Sequence, residues 1–188
     1  MRRPRPPRTR VAVLGGTFDR LHLGHEALLR AAFRSAGEVR IGLATASYLE
    51  RHPKRNPARI QSYQTRLRRL RAYLTRCFPR RVYHILPLRD VFGGSIRPGI
   101  DVLVLSAGTR SGGRRVNAER HRRGLPPLRV LEVPLVRAED GRPISSTRIR
   151  AGQIDGDGIV LGRRPSAASE GRVSRPRPRR TRSRPSVR

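Results

Sequence analysis

Gly15-Gly16-Thr17-Phe18-Asp19-Arg20-Leu21-His22-Leu23-Gly24-His25 is the stretch of this chain whose residue types and spacing could do chemistry. Its paired glycines allow a sharp turn and let the backbone approach a ligand without a Cβ in the way. His22 and His25 stand three residues apart, a spacing that puts two imidazoles on roughly one face of a first helical turn, where both can donate to one phosphate group. Helix N-terminal N–H groups and the helix dipole favour an anion at the same place. Neither the dinucleotide fingerprint nor the Walker pattern fits, because the glycine spacing differs and no Lys-Ser/Thr pair closes the loop. Zinc is the competing reading. It requires at least a third protein ligand, for which Asp19 or Glu26 could serve, but the chain has no HExxH pattern and no cysteine cluster. A phosphate site is the better fit, and no metal ligands are assigned.

A second segment carries similar chemistry: Pro143-Ile144-Ser145-Ser146-Thr147-Arg148-Ile149-Arg150. Ser and Thr ahead of a short helix are ordinary N-caps. Three consecutive hydroxyls followed by Arg148 and Arg150 also make a phosphate clamp. The expectation is that Ser145, Ser146 and Thr147 face His22 and His25 across one cleft.

The elements that must position these segments follow from periodicity. Residues 10–15 read as a short buried strand ended by Gly15 and Gly16. Leu23, Ala27, Leu28, Ala31 and Ala32 recur at helical spacing, with Gly37 as the expected stop. Residues 39–44 read as a second strand and 59–77 as a long basic amphipathic helix with Ile60, Leu67, Leu70 and Leu74 on one side. Residues 82–88, 101–106 and 128–135 are three further β-rich runs, separated by a Gly/Pro loop at 93–99 and a helix within 113–123. Strands alternating with helices imply an α/β domain: a Rossmann-like, doubly wound sheet of about five parallel strands, with ligands at the strands' carboxyl ends.

Composition bounds the rest. At 188 residues the chain suits one domain, and its net charge of +30 favours polyanions or phosphorylated small molecules as partners. The first ten residues carry five arginines and no acid, and residues 163–188 carry ten arginines against Glu170, which leaves +16 on the remainder. We therefore expect disordered basic tails at 1–9 and 163–188 around a domain at 10–162. Arginine-rich tails can contact nucleic acid, but no aromatic residues are interleaved to stack on bases, so a solvated extension is the plainer reading. Of the 43 basic residues only Lys54 is a lysine, which suggests a position where a compact ammonium is needed beside crowded phosphates. A lone cysteine, Cys77, excludes an internal disulfide, and no apolar run approaches the roughly 20 residues of a membrane span. A cytoplasmic protein without membrane contact is expected.

The first segment resembles the GxFDxxHxGH signature of the nucleotidyltransferase superfamily, and Ile-Ser-Ser-Thr-Arg-Ile-Arg matches its ISSTxxR element. Between them Gly42-Leu43-Ala44-Thr45, the 63–70 helix, Asp101 to Ser106, Val116 to Arg120 and Gly124 to Leu128 are similar to the archaeal and eukaryotic type of pantetheine-phosphate adenylyltransferase, over roughly residues 10–157. The resemblance implies transfer of AMP from ATP to 4′-phosphopantetheine, with Mg²⁺ assisting. It implies that Thr17 orients the acceptor phosphate, that His22 and His25 bind the ATP phosphates, and that His25 donates to the transition-state oxygens. By the same resemblance Gly15, Gly16, Phe18 and Asp19 belong to the binding loop, and Ser145, Ser146 and Thr147 hold ATP with Arg148 or Arg150 as supporting charge. Lys54 is the candidate to bridge the reacting phosphates. Thr109 is carried over as a nucleotide contact, although Gly108 precedes it where members often have an acidic residue. A superfamily member using CTP, or a nucleic-acid-binding protein on this fold, are the alternatives.

Overall fold

The computed structural model describes residues 9–54 and 57–162. The expected basic tails lie outside these residues except for Thr9. Thirteen elements follow in order, of which five are strands: β1 (Val11–Gly16), β2 (Glu38–Ala44), β3 (Val82–Leu88), β4 (Val102–Ser106) and β5 (Arg129–Val133). All pair in parallel in the order β3-β2-β1-β4-β5. The central β1 is covered on both faces, so Val11, Ala12, Val13 and Leu14 are consecutively buried where a one-sided strand would alternate.

Five α-helices complete the domain: α1 (Leu23–Ser35), α2 (Ala46–Arg51), α3 (Tyr63–Cys77), α4 (Arg110–Arg122) and α5 (Ser146–Arg150). On one face α1 and α3 bury Leu29, Ala32, Phe33, Leu70, Tyr73 and Leu74 against Leu14, Val39, Ile41 and Leu43. On the other, α4 packs Val116, with Phe92 beside the 93–96 turn, on Val11, Val13 and Leu103, and the turn also reaches β2 and β3. Val82 and Leu86 of β3 are nevertheless exposed.

Two local expectations change. Gly37 is not a left-handed stop for α1, since the helix closes on Ala36 in extended backbone; a Cβ at Gly37 would meet only the side chain of exposed Thr9. The helix expected within 113–123 begins three residues earlier, at Arg110. Gly112 and Gly113 are therefore helical, with the Gly113 Cα against Leu105 and Val130, where a side chain would crowd.

The strand order reverses direction between β1 and β4, so their carboxyl ends splay apart and leave a crevice there. After β5 the chain returns over that crevice. A small core of Ala138, Ile144 and Ile154, with Leu23 packed against it, seats the 134–162 segment on the start of α1. The Gly156 carbonyl accepts the Leu23 N–H at 3.2 Å.

Candidate active site

The crevice holds a cavity of about 250 Å³ whose lining includes Thr17, His22, His25, Lys54, Ser145, Ser146 and Thr147. Both sequence segments and the single lysine therefore share one cleft. Leu28, Ser106, Ile144 and the Pro134-Leu135-Val136 run also line it, and sequence reasoning missed them. Ser106 ends a strand beside the switch point, a usable signal; Pro134 to Val136 have none, because they depend on where β5 exits.

His22 is the N-cap of α1, with extended backbone, and its Nδ1 accepts the Gly24 N–H at 3.1 Å. This fixes the tautomer: with Nδ1 accepting, the neutral ring carries its proton on Nε2. Gly24 leaves room for the cap, because a Cβ would stand 3.0 Å from His22 Cε1 and crowd the ring. Burial lowers the His22 pKa to about 4, only partly offset by Asp19. The His25 ring lies 3.9 Å from that of His22, centroid to centroid. Burial first, then His22 and Lys54, holds His25 well below the ordinary histidine value. Both imidazoles are neutral at pH 7. His25 Nδ1 is buried with no hydrogen-bond partner among the described residues.

The backbone donors are less available than the sequence suggests. Leu23 N–H goes to Gly156, Gly24 N–H to His22, and His25 N–H to the His22 carbonyl at 2.8 Å. The start of α1 is closed by the protein itself.

The hydroxyls divide their work. Ser145 Oγ caps α5 by accepting the Arg148 N–H, and Thr147 Oγ1 accepts from Arg150 Nη2, so each keeps its own O–H to donate. Ser146 Oγ donates to the Asp19 carbonyl at 2.7 Å and so acts as a tie between the segments. Lys54 reaches the same cavity, its pKa lowered by burial and by Arg150 against the opposing pull of Asp19.

Asp19 and Arg150 line the cavity as parts of its frame, whereas Phe18, Arg148 and Thr109 are not among its lining residues. Asp19 is fully buried; its carboxylate accepts the Gln61 N–H at 2.9 Å and Arg150 Nη1 at 2.7 Å, which makes both side chains parts of the frame. Phe18 is a core residue, 2% exposed, that packs against Gly16 and His25. Arg148 points away from the cavity and clasps the 140–143 turn through the Asp140 carboxylate and the Pro143 carbonyl. Thr109 lies in a second cavity of about 320 Å³ on the far side of β1, together with Gly15 and an apolar wall that includes Leu88, Phe92, Leu103 and Val116. Phe18 and Arg20 hold positive φ of 50° and 44°, strain of the kind that tightly determined loops at functional sites sustain.

A resident metal is not supported by the residues present. Among the described residues no group of three His, Cys, Asp or Glu could hold an ion, and the carboxylate in the cavity, Asp19, is engaged by Arg150.

A parallel sheet with this strand order and two polar segments facing one cleft at its switch point define a nucleotide-handling α/β domain. A family model described as cytidylyltransferase-like matches residues 13–152, and the chain belongs to that family. It is 36% identical over 149 residues to a phosphopantetheine adenylyltransferase of Methanopyrus kandleri, covering 79% of this chain and 92% of that one. The corresponding enzyme of Pyrococcus abyssi is 40% identical, with 80% and 95% covered. A bifunctional phosphopantetheine adenylyltransferase/NTP phosphatase of Thermoplasma volcanium is also 40% identical, but the match spans only 45% of its length. Among solved structures, a protein of unknown function from Archaeoglobus fulgidus superposes with a TM-score of 0.57 at 25% identity over 66% of this chain and 88% of that one.

Proposed function

We propose that this chain is an adenylyltransferase that moves AMP from ATP to 4′-phosphopantetheine, forming dephospho-coenzyme A and releasing pyrophosphate. The observation that carries the reading is the single cleft that brings together the neutral His22 and His25 rings, the single lysine Lys54 and the Ser145 and Thr147 hydroxyls, each of which retains a proton to donate.

In that reaction an oxygen of the acceptor phosphate attacks the α-phosphorus, and the bond from it to the oxygen of the leaving pyrophosphate breaks. The acceptor is already an anion, so no side-chain nucleophile or general base is needed; alignment and charge stabilisation do the work. The Nε2–H of His22 and the ring of His25 would bind the triphosphate, with Ser145 and Thr147 donating from the opposite wall. Neutral imidazoles suit this role, since they donate without the desolvation cost of a buried cation. Lys54 would sit between acceptor and donor phosphates. Thr17, just after β1, lines the first cavity and Gly15 lines the second, and the apolar second cavity would receive the pantetheine arm of an acceptor whose phosphate lies at Thr17. Mg²⁺ is expected to arrive with ATP on its phosphate oxygens, and no protein ligand is assigned to it.

Pyrophosphate release measured with 4′-phosphopantetheine and each nucleoside triphosphate tests the reading. Release that needs both the acceptor and ATP is expected. Release with CTP in place of ATP overturns the base assignment, and no release with any triphosphate overturns the reaction.

A further inference from the structure

Between Glu50 and Asp90 the chain has no acidic residue, while residues 51–89 contain twelve arginines and lysines. Helix α3 lies at the centre of this run. Its buried side, Leu70, Tyr73 and Leu74, packs on the sheet. Its outer side carries Arg68, Arg69, Arg71 and Arg76, all exposed.

These four arginines differ from those elsewhere on the domain. The ion-paired carboxylates among the described residues serve other partners: Glu26 pairs with Arg30, Glu38 with Arg40, Glu119 with Arg122 and Arg123, Glu132 with Arg110, Asp140 with Arg148 and Asp19 with Arg150. No ion pair among the described residues reaches the outer arginines of α3. Arg76 alone has a further contact, over the Tyr73 ring at 6.0 Å. The arrangement also opposes the helix. Arg68 and Arg71 stand three residues apart, a like-charge spacing that weakens a helix, and the first turn holds no acid to answer the dipole. A general preference for arginine over lysine accounts for which cation is present; it does not account for the missing acids.

We infer that the outer face of α3 is a binding surface for the phosphate backbone of a nucleic-acid duplex, separate from the cleft between β1 and β4. Arg68 to Arg76 spans about 12 Å along the helix axis, a distance over which a duplex presents several phosphates, at one charge per ~1.7 Å of its axis. The absence of exposed aromatic side chains on this face speaks against a single strand, which is ordinarily held by base stacking. Contacts of this type fix position on the backbone and read no sequence.

The test uses the full chain and a fluorescent 20-base-pair DNA duplex, with affinity followed as a function of salt. The variant Arg68→Gln/Arg69→Gln/Arg71→Gln/Arg76→Gln should bind at least about tenfold more weakly than the unsubstituted chain at 0.1 M salt, and its plot of log K against log salt should be shallower by about 3 to 4, roughly 0.9 for each phosphate no longer neutralised. The matching four-lysine variant should keep both affinity and slope. Thermal unfolding of the glutamine variant should be no lower than that of the parent, since repulsion is relieved. Equal binding by the glutamine variant, no duplex binding by the parent chain, or tighter capture by phosphatidylglycerol vesicles than by the duplex would each overturn the assignment. None of these readouts involves adenylyl transfer, so the surface and the reaction stand or fall separately.

Discussion

Asp19 and Arg150 meet in the interior of the domain with 2.7 Å between carboxylate and guanidinium, their side chains 0% and 1% exposed. They join the loop after β1 to the helix α5, 131 residues later. The tie holds His22 and His25 opposite Ser145 and Thr147. Breaking a buried pair leaves an uncompensated charge, which costs about 3–5 kcal/mol, whereas removing both partners costs much less. Asp19→Asn and Arg150→Met should each lower stability by that amount in urea unfolding, and the double variant by less than the sum. Additive losses would show that the two side chains do not act as a pair.

The two histidines link stability to pH. Both have folded-state pKa values below the ordinary 6.5, that of His22 at about 4, so the unfolded chain takes up protons first as pH falls. Their contribution is complete above about pH 7 and is lost as the pH falls below about 6.5, for His22 down to about 4, with a slope approaching about 1.4 kcal/mol per pH unit for each group. Urea midpoints measured from pH 7.5 to 4.5 should fall accordingly. His22→Asn, which can still cap α1, should flatten the curve; an unchanged slope would place the titrating group elsewhere.

Much of this site could be read in advance because its chemistry is local. The Gly15-Gly16 turn, the helix after it and the 145–147 hydroxyls are contiguous segments, and a strand–helix alternation fixes where such segments point. Asp19, Arg148 and Arg150 were harder. A carboxylate or guanidinium looks the same in sequence whether it faces ligand or a partner 131 residues away, and only packing distinguishes the two. The same limit applies to the helix N–H donors, which the sequence offers to an anion and which Gly156 and the His22 side chain occupy. Thr109, carried over by resemblance as a nucleotide contact, lines the neighbouring cavity on the other side of β1, a placement that only the packing shows.

Catalysis and folding should separate at His25 and Lys54. His25→Ala removes one donor to the developing charge, and turnover should fall on the order of a hundredfold. Lys54→Arg keeps the charge but replaces a compact ammonium by a broader planar group, and kcat/KM should fall at least about tenfold, or about 1.4 kcal/mol. Both variants should melt close to the parent chain, since neither side chain ties one element to another. A full-rate Lys54→Arg enzyme would show that this position needs only positive charge.

Arg66 offers a different test, because it is fully buried in α3 and has no carboxylate partner among the described residues. Its guanidinium donates to three carbonyls, those of Thr17 at 2.8 Å, Ala44 at 2.9 Å and Gln61 at 2.9 Å. One planar group thus pins the loop after β1 to the end of β2 and the start of α3. An ammonium has no such fork. Arg66→Lys should leave at least one carbonyl unsatisfied and cost about 1–3 kcal/mol. Thr17 is the only cavity residue among these acceptors, while the opposite wall at Ser145 and Thr147, where the triphosphate is proposed to bind, is held through Arg150 and Asp19. The loss should therefore appear as a raised KM for 4′-phosphopantetheine with the KM for ATP nearly unchanged. Equal rises in both would mean that the loop and α5 move as one body, and that Arg66 braces the whole cleft rather than its acceptor side.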